Sequence, residues 1–366
     1  MKKLLSLILA TIMAISALIT VSAKERSKTP NTYVPSNDVY NFSKGTIHSS
    51  IWGKLIYNKN KGKEIILDEV YPYNEEIFSY YVRGDKVYYS VLSYDLAPDN
   101  SEYYQIRSVD LNGKNKKALY LSSSRMFGMI GGYGSGIIFY EYSKKNILTV
   151  KMLKNNKTTT LFKVKGFYDF NIFNGKIYYN NKTYNLKTHK TDKYVAKEIY
   201  VTKNYMYYIN KNNNLKSLDK KGARRIVTKN VHKYYGANNG SSVIYSKLNS
   251  KKEEVFYKRT GTGKEYRLCA WSDIFNVISK PANTNLNSKY VVSNALFYKN
   301  KVYFDLGIAD PEEQYGWYSK IVAVATRGGT PKVILEAEKN NYTYMSLYGD
   351  KLVCREYSEE NLPYDD

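Results

Sequence analysis

A short strand-like segment recurs along this 366-residue chain roughly every 44 residues, and that period constrains the fold more than any other feature. The copies are Lys86-Val-Tyr-Tyr-Ser90, Gly136-Ile-Ile-Phe-Tyr140, Lys176-Ile-Tyr-Tyr-Asn180, Tyr205-Met-Tyr-Tyr-Ile209, Ser242-Val-Ile-Tyr-Ser246, Lys301-Val-Tyr-Phe-Asp305 and Lys351-Leu-Val-Cys-Arg355. Each joins β-branched and aromatic residues, most of them after a tight polar turn, which is the composition of a β-strand. Six intervals separate Val87 from Leu352, and their mean, about 44 residues, is the length of one four-stranded blade.

A second pattern follows most copies: a short strand, a Gly/Asn/Lys turn and another strand, as in Ile106-Arg-Ser-Val-Asp-Leu-Asn-Gly-Lys-Asn-Lys-Lys-Ala-Leu119. It recurs at 148–162, 182–195, 215–227, 254–268 and 321–335, and once near the N-terminus at 54–67. A further strand is expected before each copy, at 77–83, 127–132, 168–173, 199–203, 234–238, 295–298 and 342–347. The copy at 351–355 has no hairpin after it, so the hairpin at 54–67 reads as its missing half. The sequence therefore predicts an all-β propeller of seven four-stranded blades, its ring closed by the N-terminal hairpin completing the C-terminal blade. Six or eight blades stay open if one degenerate copy, 168–195 above all, is misread.

The remaining length is partitioned by composition. Residues 1–23 carry Lys2 and Lys3, an apolar run from 4 to 21 and a Val21-Ser22-Ala23 ending, the pattern of a cleaved signal peptide. Residues 24–45 read as an N-terminal extension and 46–366 as a single propeller domain. Export is expected, to the outside or the wall of a Gram-positive cell, with no stable membrane insertion after cleavage. Two cysteines, Cys269 and Cys354, are too few to staple a chain of this size. Stability must then come from the core, and the 40 tyrosines suit blades packed face to face.

Within this frame, Gly84-Asp-Lys-Val-Tyr-Tyr-Ser90 followed by the 106–116 hairpin resembles the bacterial low-density-lipoprotein-receptor-related (YWTD-like) β-propeller family of clostridial secreted proteins. Leu215-Lys-Ser-Leu-Asp-Lys-Lys-Gly-Ala-Arg-Arg225 and Gly175-Lys-Ile-Tyr-Tyr179 match it in part. The resemblance implies a propeller with an interaction role and carries over no catalytic residues.

Fifty-six Lys and Arg against 33 Asp and Glu give a net charge of +23, enough to concentrate a polyanion at the surface. AT-rich codons shared by Lys, Asn and Tyr are an alternative origin for that excess. Four-stranded blades put their hairpin turns on one face, where Lys116, Lys117, Lys220, Lys221, Arg224 and Arg225 would form part of a basic rim for an anionic cell-wall polymer. Connections at 91–104, 271–290 and 306–319 would crowd the other face. They place Tyr94, Asp95, Asp99, Trp271, Asp310, Tyr315 and Trp317 there as candidates for a glycan, a protein or Ca²⁺, though such loops could simply fold over the central opening. No other cofactor, no nucleic acid and no oligomer is expected.

Signals for catalysis are sparse. His48, His189 and His232 are scattered, without His-Glu-x-x-His spacing. The run Gly131-Gly132-Tyr133-Gly134-Ser135-Gly136 lacks the first glycine of a nucleophile elbow and the Lys of a phosphate loop. The sequence reads as a non-enzymatic binding module. A carbohydrate-active enzyme, glycosidase or lyase, using carboxylates from separate blades such as Asp95 and Asp310 is the alternative.

Overall fold

A computed structural model describes the chain from Tyr40 to Ser358, apart from residues 43, 50–52, 60–62, 71–74, 94–102, 123, 125, 144–145, 167–168, 195, 203, 239–241, 261–262, 279–290, 311–315, 339–340 and 349–350. The signal-peptide reading at 1–23 lies outside the described residues.

Seven consecutive four-stranded antiparallel sheets account for the fold, each a meander in chain order. Blade 1 comprises β1 (Tyr40–Phe42), β2 (Gly45–Ser49), β3 (Lys54–Lys59) and β4 (Glu64–Glu69); blade 2 comprises β5 (Glu75–Arg83), β6 (Lys86–Ser93), β7 (Tyr103–Asp110) and β8 (Lys117–Ser122). Blade 3 runs through β9 (Phe127–Tyr133), β10 (Gly136–Ser143), β11 (Ile147–Lys154) and β12 (Lys157–Lys165), and blade 4 through β13 (Asn171–Phe173), β14 (Lys176–Tyr179), β15 (Lys182–Asn185) and β16 (Thr191–Lys193). Blade 5 holds β17 (Glu198–Val201), β18 (Tyr205–Ile209), β19 (Leu215–Asp219) and β20 (Arg224–Thr228). Blade 6 holds β21 (Lys233–Asn238), β22 (Ser242–Leu248), β23 (Glu254–Thr260) and β24 (Glu265–Ala270), followed by the helix α1 (Trp271–Phe275). Blade 7 is β25 (Val291–Tyr298), β26 (Lys301–Asp310), β27 (Gly316–Ala325) and β28 (Lys332–Glu336), after which β29 (Asn341–Tyr348) and β30 (Lys351–Ser358) pair with each other. This is a β-propeller with seven four-stranded blades.

The repeat owes its paired aromatics to burial on both faces. Successive strand residues point to opposite sides of a sheet, and the second strand of each central blade is covered by both neighbours. Tyr89 joins Ile47, Leu55 and Leu67 of blade 1 in one cluster, while Tyr88 joins Phe127, Ile137 and Phe139 of blade 3 in the next. Tyr179 and Tyr178 divide in the same way between blades 3 and 5, and Tyr207 and Tyr208 between blades 6 and 4. Among the described residues six such clusters fill the six junctions between consecutive blades. Each fully buried aromatic contributes on the order of 2 kcal/mol, so tyrosines such as Tyr89, Tyr207 and Tyr245 are part of the core alongside Ile, Val, Leu and Phe.

Several hairpins between third and fourth strands share one turn chemistry, whereas in blade 3 Asn155 and Asn156, at φ +51° and +58°, make the turn. In blade 2 the Gly113 N–H donates to the Asp110 carbonyl at 2.8 Å and Gly113 takes φ +78°, a conformation that a β-carbon disfavours. In blade 5 the Gly222 N–H donates to the Asp219 carbonyl at 3.0 Å, and the Asp219 carboxylate accepts from the Lys221 and Ala223 N–H groups at 2.9 Å each. The Asp219 carboxylate is thus consumed by turn formation, while that of Asp110 pairs with Lys86 and Asn115, which leaves the other lysines and arginines around them as the outward-facing charge.

One expectation is corrected. The hairpin β3–β4 does not complete a C-terminal blade: it pairs through β3 with β2, in a register that sets Ile47 against Tyr57 and His48 against Ile56. The reason is that 40–49 contains two strands of its own. Gly-Thr-Ile-His-Ser at β2 lacks the Lys-x-Tyr-Tyr signature, yet all five of its residues are buried. Consequently β29 and β30 form a separate two-stranded sheet.

Candidate functional site

Antiparallel meanders separate each blade's connections. The first and third turns leave at one end, here the turn end, while the second connection and the passage to the next blade leave at the other. Cations line the turn end: Lys114, Lys116 and Lys117 in blade 2, Lys154 and Lys157 in blade 3, Lys187 and Lys190 in blade 4, Lys220, Lys221, Arg224 and Arg225 in blade 5, Lys264 in blade 6, Arg327 and Lys332 in blade 7 are all exposed, and the opposite end carries exposed lysines of its own, among them Lys211, Lys229, Lys251 and Lys252. They are there because turn residues cannot be buried and because the hairpin chemistry tolerates any long polar side chain.

These cations differ in what holds them. At the junction of blades 1 and 2 they are neutralised. Lys116 Nζ lies 2.6 Å from Asp68 Oδ1, and Asp68, with no exposed surface, also accepts the Tyr89 hydroxyl at 2.6 Å and faces Arg107 at 3.6 Å. Arg107 in turn holds Glu75 at 2.6 Å. Burial and the Asp68 hydrogen bond push the Tyr89 hydroxyl far above its ordinary range, so it stays protonated as a donor. Beside this network a cleft of about 800 Å³ opens between the two blades, lined by Lys44, Tyr57, Lys59, Asp85, Lys86 and Asp110 among others. Within it Lys44 pairs with Asp85, and Lys86 with Asp110 at 2.7 Å. Ion pairs thus occupy most of its charge.

Similar carboxylate–tyrosine–lysine ties bind other blades. Glu141 of β10 accepts from Tyr120 of β8 at 2.7 Å and from Lys151. Glu265 of β24 accepts from Tyr245, Lys247 and Thr228, the last at 3.2 Å. Burial raises both carboxyls, but the hydrogen bonds and nearby ammonium groups outweigh it and hold them below the ordinary range, hence ionised.

At the junction of blades 6 and 7 the cations meet rings instead of carboxylates. Lys264 Nζ sits 5.0 Å from the Tyr266 ring centre and Lys258 Nζ 6.0 Å from Tyr266 and 5.6 Å from Phe297; on the other face of blade 7, Lys299 Nζ lies 5.2 Å from Tyr298. Among the described residues none of these three lysines forms a salt bridge. Sequence reasoning missed Lys299, which sits in a first turn at φ +53°; the Tyr-Lys-Asn-Lys run at 298–301 was its only signal.

The other sequence candidates fare unevenly. Tyr94, Asp95, Asp99 and Tyr315 lie outside the described residues. Asp310 ends β26 opposite Gly316, and Trp317 faces Ala309 across the β26–β27 ladder, so both flank the 311–315 connection. Trp271 begins α1 half-buried, its ring 6.4 Å from Phe256, with the blade 6–7 core. Lys117, Lys220, Lys221, Arg224 and Arg225 are exposed, and Lys116, also exposed, pairs with Asp68. Burial raises the thiols of Cys269 and Cys354 to about 12 and about 11, which removes thiolate chemistry at neutral pH. Among the described residues no three His, Cys, Asp or Glu side chains converge as a metal site.

These features define a β-propeller scaffold. No protein-family model matches the chain, and no curated protein matches it. Among solved structures it is similar to an uncharacterized protein of Listeria monocytogenes (13% identity over 72% of this chain and 83% of that one, TM-score 0.40). It is also similar to the protein BamB of Moraxella catarrhalis (12% identity over 80% and 83%, TM-score 0.37) and to a puromycin hydrolase (10% identity over 73% and 49%, TM-score 0.46).

Proposed function

We propose that this protein is a secreted binding module of the low-density-lipoprotein-receptor-related β-propeller kind that attaches to an anionic cell-wall polymer through its turn end. The observation that supports this reading is the row of exposed hairpin cations at the turn end, densest in Lys220, Lys221, Arg224 and Arg225 of blade 5, where the only carboxylate of the turn, Asp219, is engaged by backbone N–H groups. A polymer bearing a regular series of negative groups would meet several hairpins at once, each contact weak and screened by salt but additive in number.

The test is binding of residues 24–366 to teichoic-acid-bearing and teichoic-acid-stripped Gram-positive walls across a salt series. Binding that needs the polymer, weakens with salt and falls at least tenfold in the K220E/K221E/R224E/R225E variant is the expected result. Equal binding by stripped walls, or by the variant, would reject the reading. The acidic aromatic reading of the opposite end rests in part on Tyr94, Asp95, Asp99 and Tyr315, which lie outside the described residues.

A further inference from the structure

The core between blades 1 and 2 is not sealed at the turn end. Tyr57 and Ile65 are directly opposed across β3–β4, and Lys59 lies two residues beyond Tyr57, so all three share one face of blade 1. That face meets blade 2, whose Leu111 joins Tyr57 in the core cluster of the junction, with Ile65 packed half-buried against it. These three apolar side chains line the cleft of about 800 Å³ together with Lys44, Lys59 and Asp85. Its size is that of a small-molecule pocket, about 300–1,000 Å³.

Two contacts between the blades set the width of the cleft. At the first turns Lys44 pairs with Asp85, and the Tyr57 hydroxyl donates to the Lys44 carbonyl at 2.9 Å. At the third turn of blade 2, Gly113 approaches β4 so closely that a β-carbon on it would sit 3.3 Å from the Ile66 carbonyl oxygen.

Charge decides what such a gap accepts. Lys44 spends its charge on Asp85, and Lys86 and Asp110 neutralise each other at 2.7 Å. Lys59 is exposed and forms no salt bridge among the described residues, which leaves a single net positive charge over an apolar floor. A polyanion laid along the cleft meets the Asp85 carboxylate, whose side chain is 75% exposed. A ligand with one negative group can place that group on Lys59.

We infer that this cleft binds a small organic anion of single charge and apolar body, its negative group on Lys59 and its body against Tyr57, Ile65 and Leu111. The site is separate from the polymer attachment proposed above and does not depend on it. Partial removal from water strengthens the contact with Lys59 relative to an open surface, and the floor adds apolar burial that a bare ion lacks.

The experiment titrates 4-phenylbutyrate, its uncharged amide and acetate by calorimetry into residues 24–366, using the wild type, K59Q, I65A and the blade 5 variant K220Q/K221Q/R224Q/R225Q. Circular dichroism melts verify that each is folded, and K59Q, a change at an exposed side chain, keeps the test open if I65A does not fold. Binding of 4-phenylbutyrate should be about tenfold tighter than that of acetate or the amide. It should fall about fivefold in K59Q, where the amide binds as it does to the wild type, fall about threefold in I65A, and stay unchanged in the blade 5 variant. If K59Q binds 4-phenylbutyrate as the wild type does, or if the blade 5 variant loses as much as K59Q, the assigned place is overturned. Equal binding of the amide overturns the requirement for charge, and equal binding of acetate overturns the apolar floor. Absence of measurable 4-phenylbutyrate binding overturns the site altogether.

Discussion

Lys116 Nζ lies 2.6 Å from Oδ1 of Asp68, on the outer strand of the preceding blade, and this contact makes Lys116 a structural cation among the surface ones. Asp68 is wholly buried and Lys116 about half exposed. Asp68→Ala should lower stability by about 3 kcal/mol, because Arg107 and the Tyr89 hydroxyl lose a buried partner. Lys116→Ala should cost less than about 1 kcal/mol, since its half-exposed ammonium is screened by water, and should leave polymer binding within twofold. Urea unfolding and a binding titration measure the two; a large binding loss in Lys116→Ala contradicts the assignment.

Blade 1 can be tested at Gly45, which has φ +155° and opposes Lys59 across β2–β3. A β-carbon there would come within 2.1 Å of the Asn58 carbonyl oxygen. Gly45→Ala should therefore cost about 2 kcal/mol by prising β2 from β3. Were the hairpin paired with β30 instead, the substitution would be neutral in a thermal melt.

Trp271 distinguishes a core ring from a ligand platform. Because it packs on Phe256 at the edge of the blade 6–7 cluster, Trp271→Ala should destabilise the protein by about 2 kcal/mol, less than for a fully buried tryptophan. An unchanged melting temperature would place the ring outside the core and restore it to the opposite-end surface.

Asp305 supplies a pH dependence. Burial raises its carboxyl from 3.8 to about 6, with Thr343 Oγ1 donating to Oδ1 at 2.5 Å and opposing the rise. The native state thus holds a proton that the unfolded chain has released, so the contribution of this group is greatest below pH 4, declines as pH climbs to about 6, and is constant above. The full span is at most about 3 kcal/mol. Asp305→Asn keeps an acceptor for Thr343 and should gain stability over the wild type progressively between pH 4 and 6. A difference between the two proteins that does not vary with pH contradicts the burial effect.

Much of this architecture was legible because its cause is local. Paired aromatics such as Tyr88-Tyr89 and Tyr178-Tyr179 mark strands buried on both faces, and Asp110-Leu-Asn-Gly113 marks the turn after them, so strands and hairpins could be placed from the pattern alone. β2 escaped because Thr46 and His48 are buried in the place of aromatics, and a polar residue carries no burial signal until its neighbours are known. The site was less legible for a related reason. Lys116 and Lys264 are indistinguishable as turn lysines, and only the long-range packing of blades gives one an aspartate and the other a tyrosine.

The most direct test of polyanion attachment at the turn end is hydrogen–deuterium exchange on residues 24–366 with and without polygalacturonate. Protection is predicted in peptides covering 219–226, 258–266 and 298–301, with none at 91–104 or 306–319. Protection confined to those last two segments, or no protection under conditions where binding is measured independently, would contradict it.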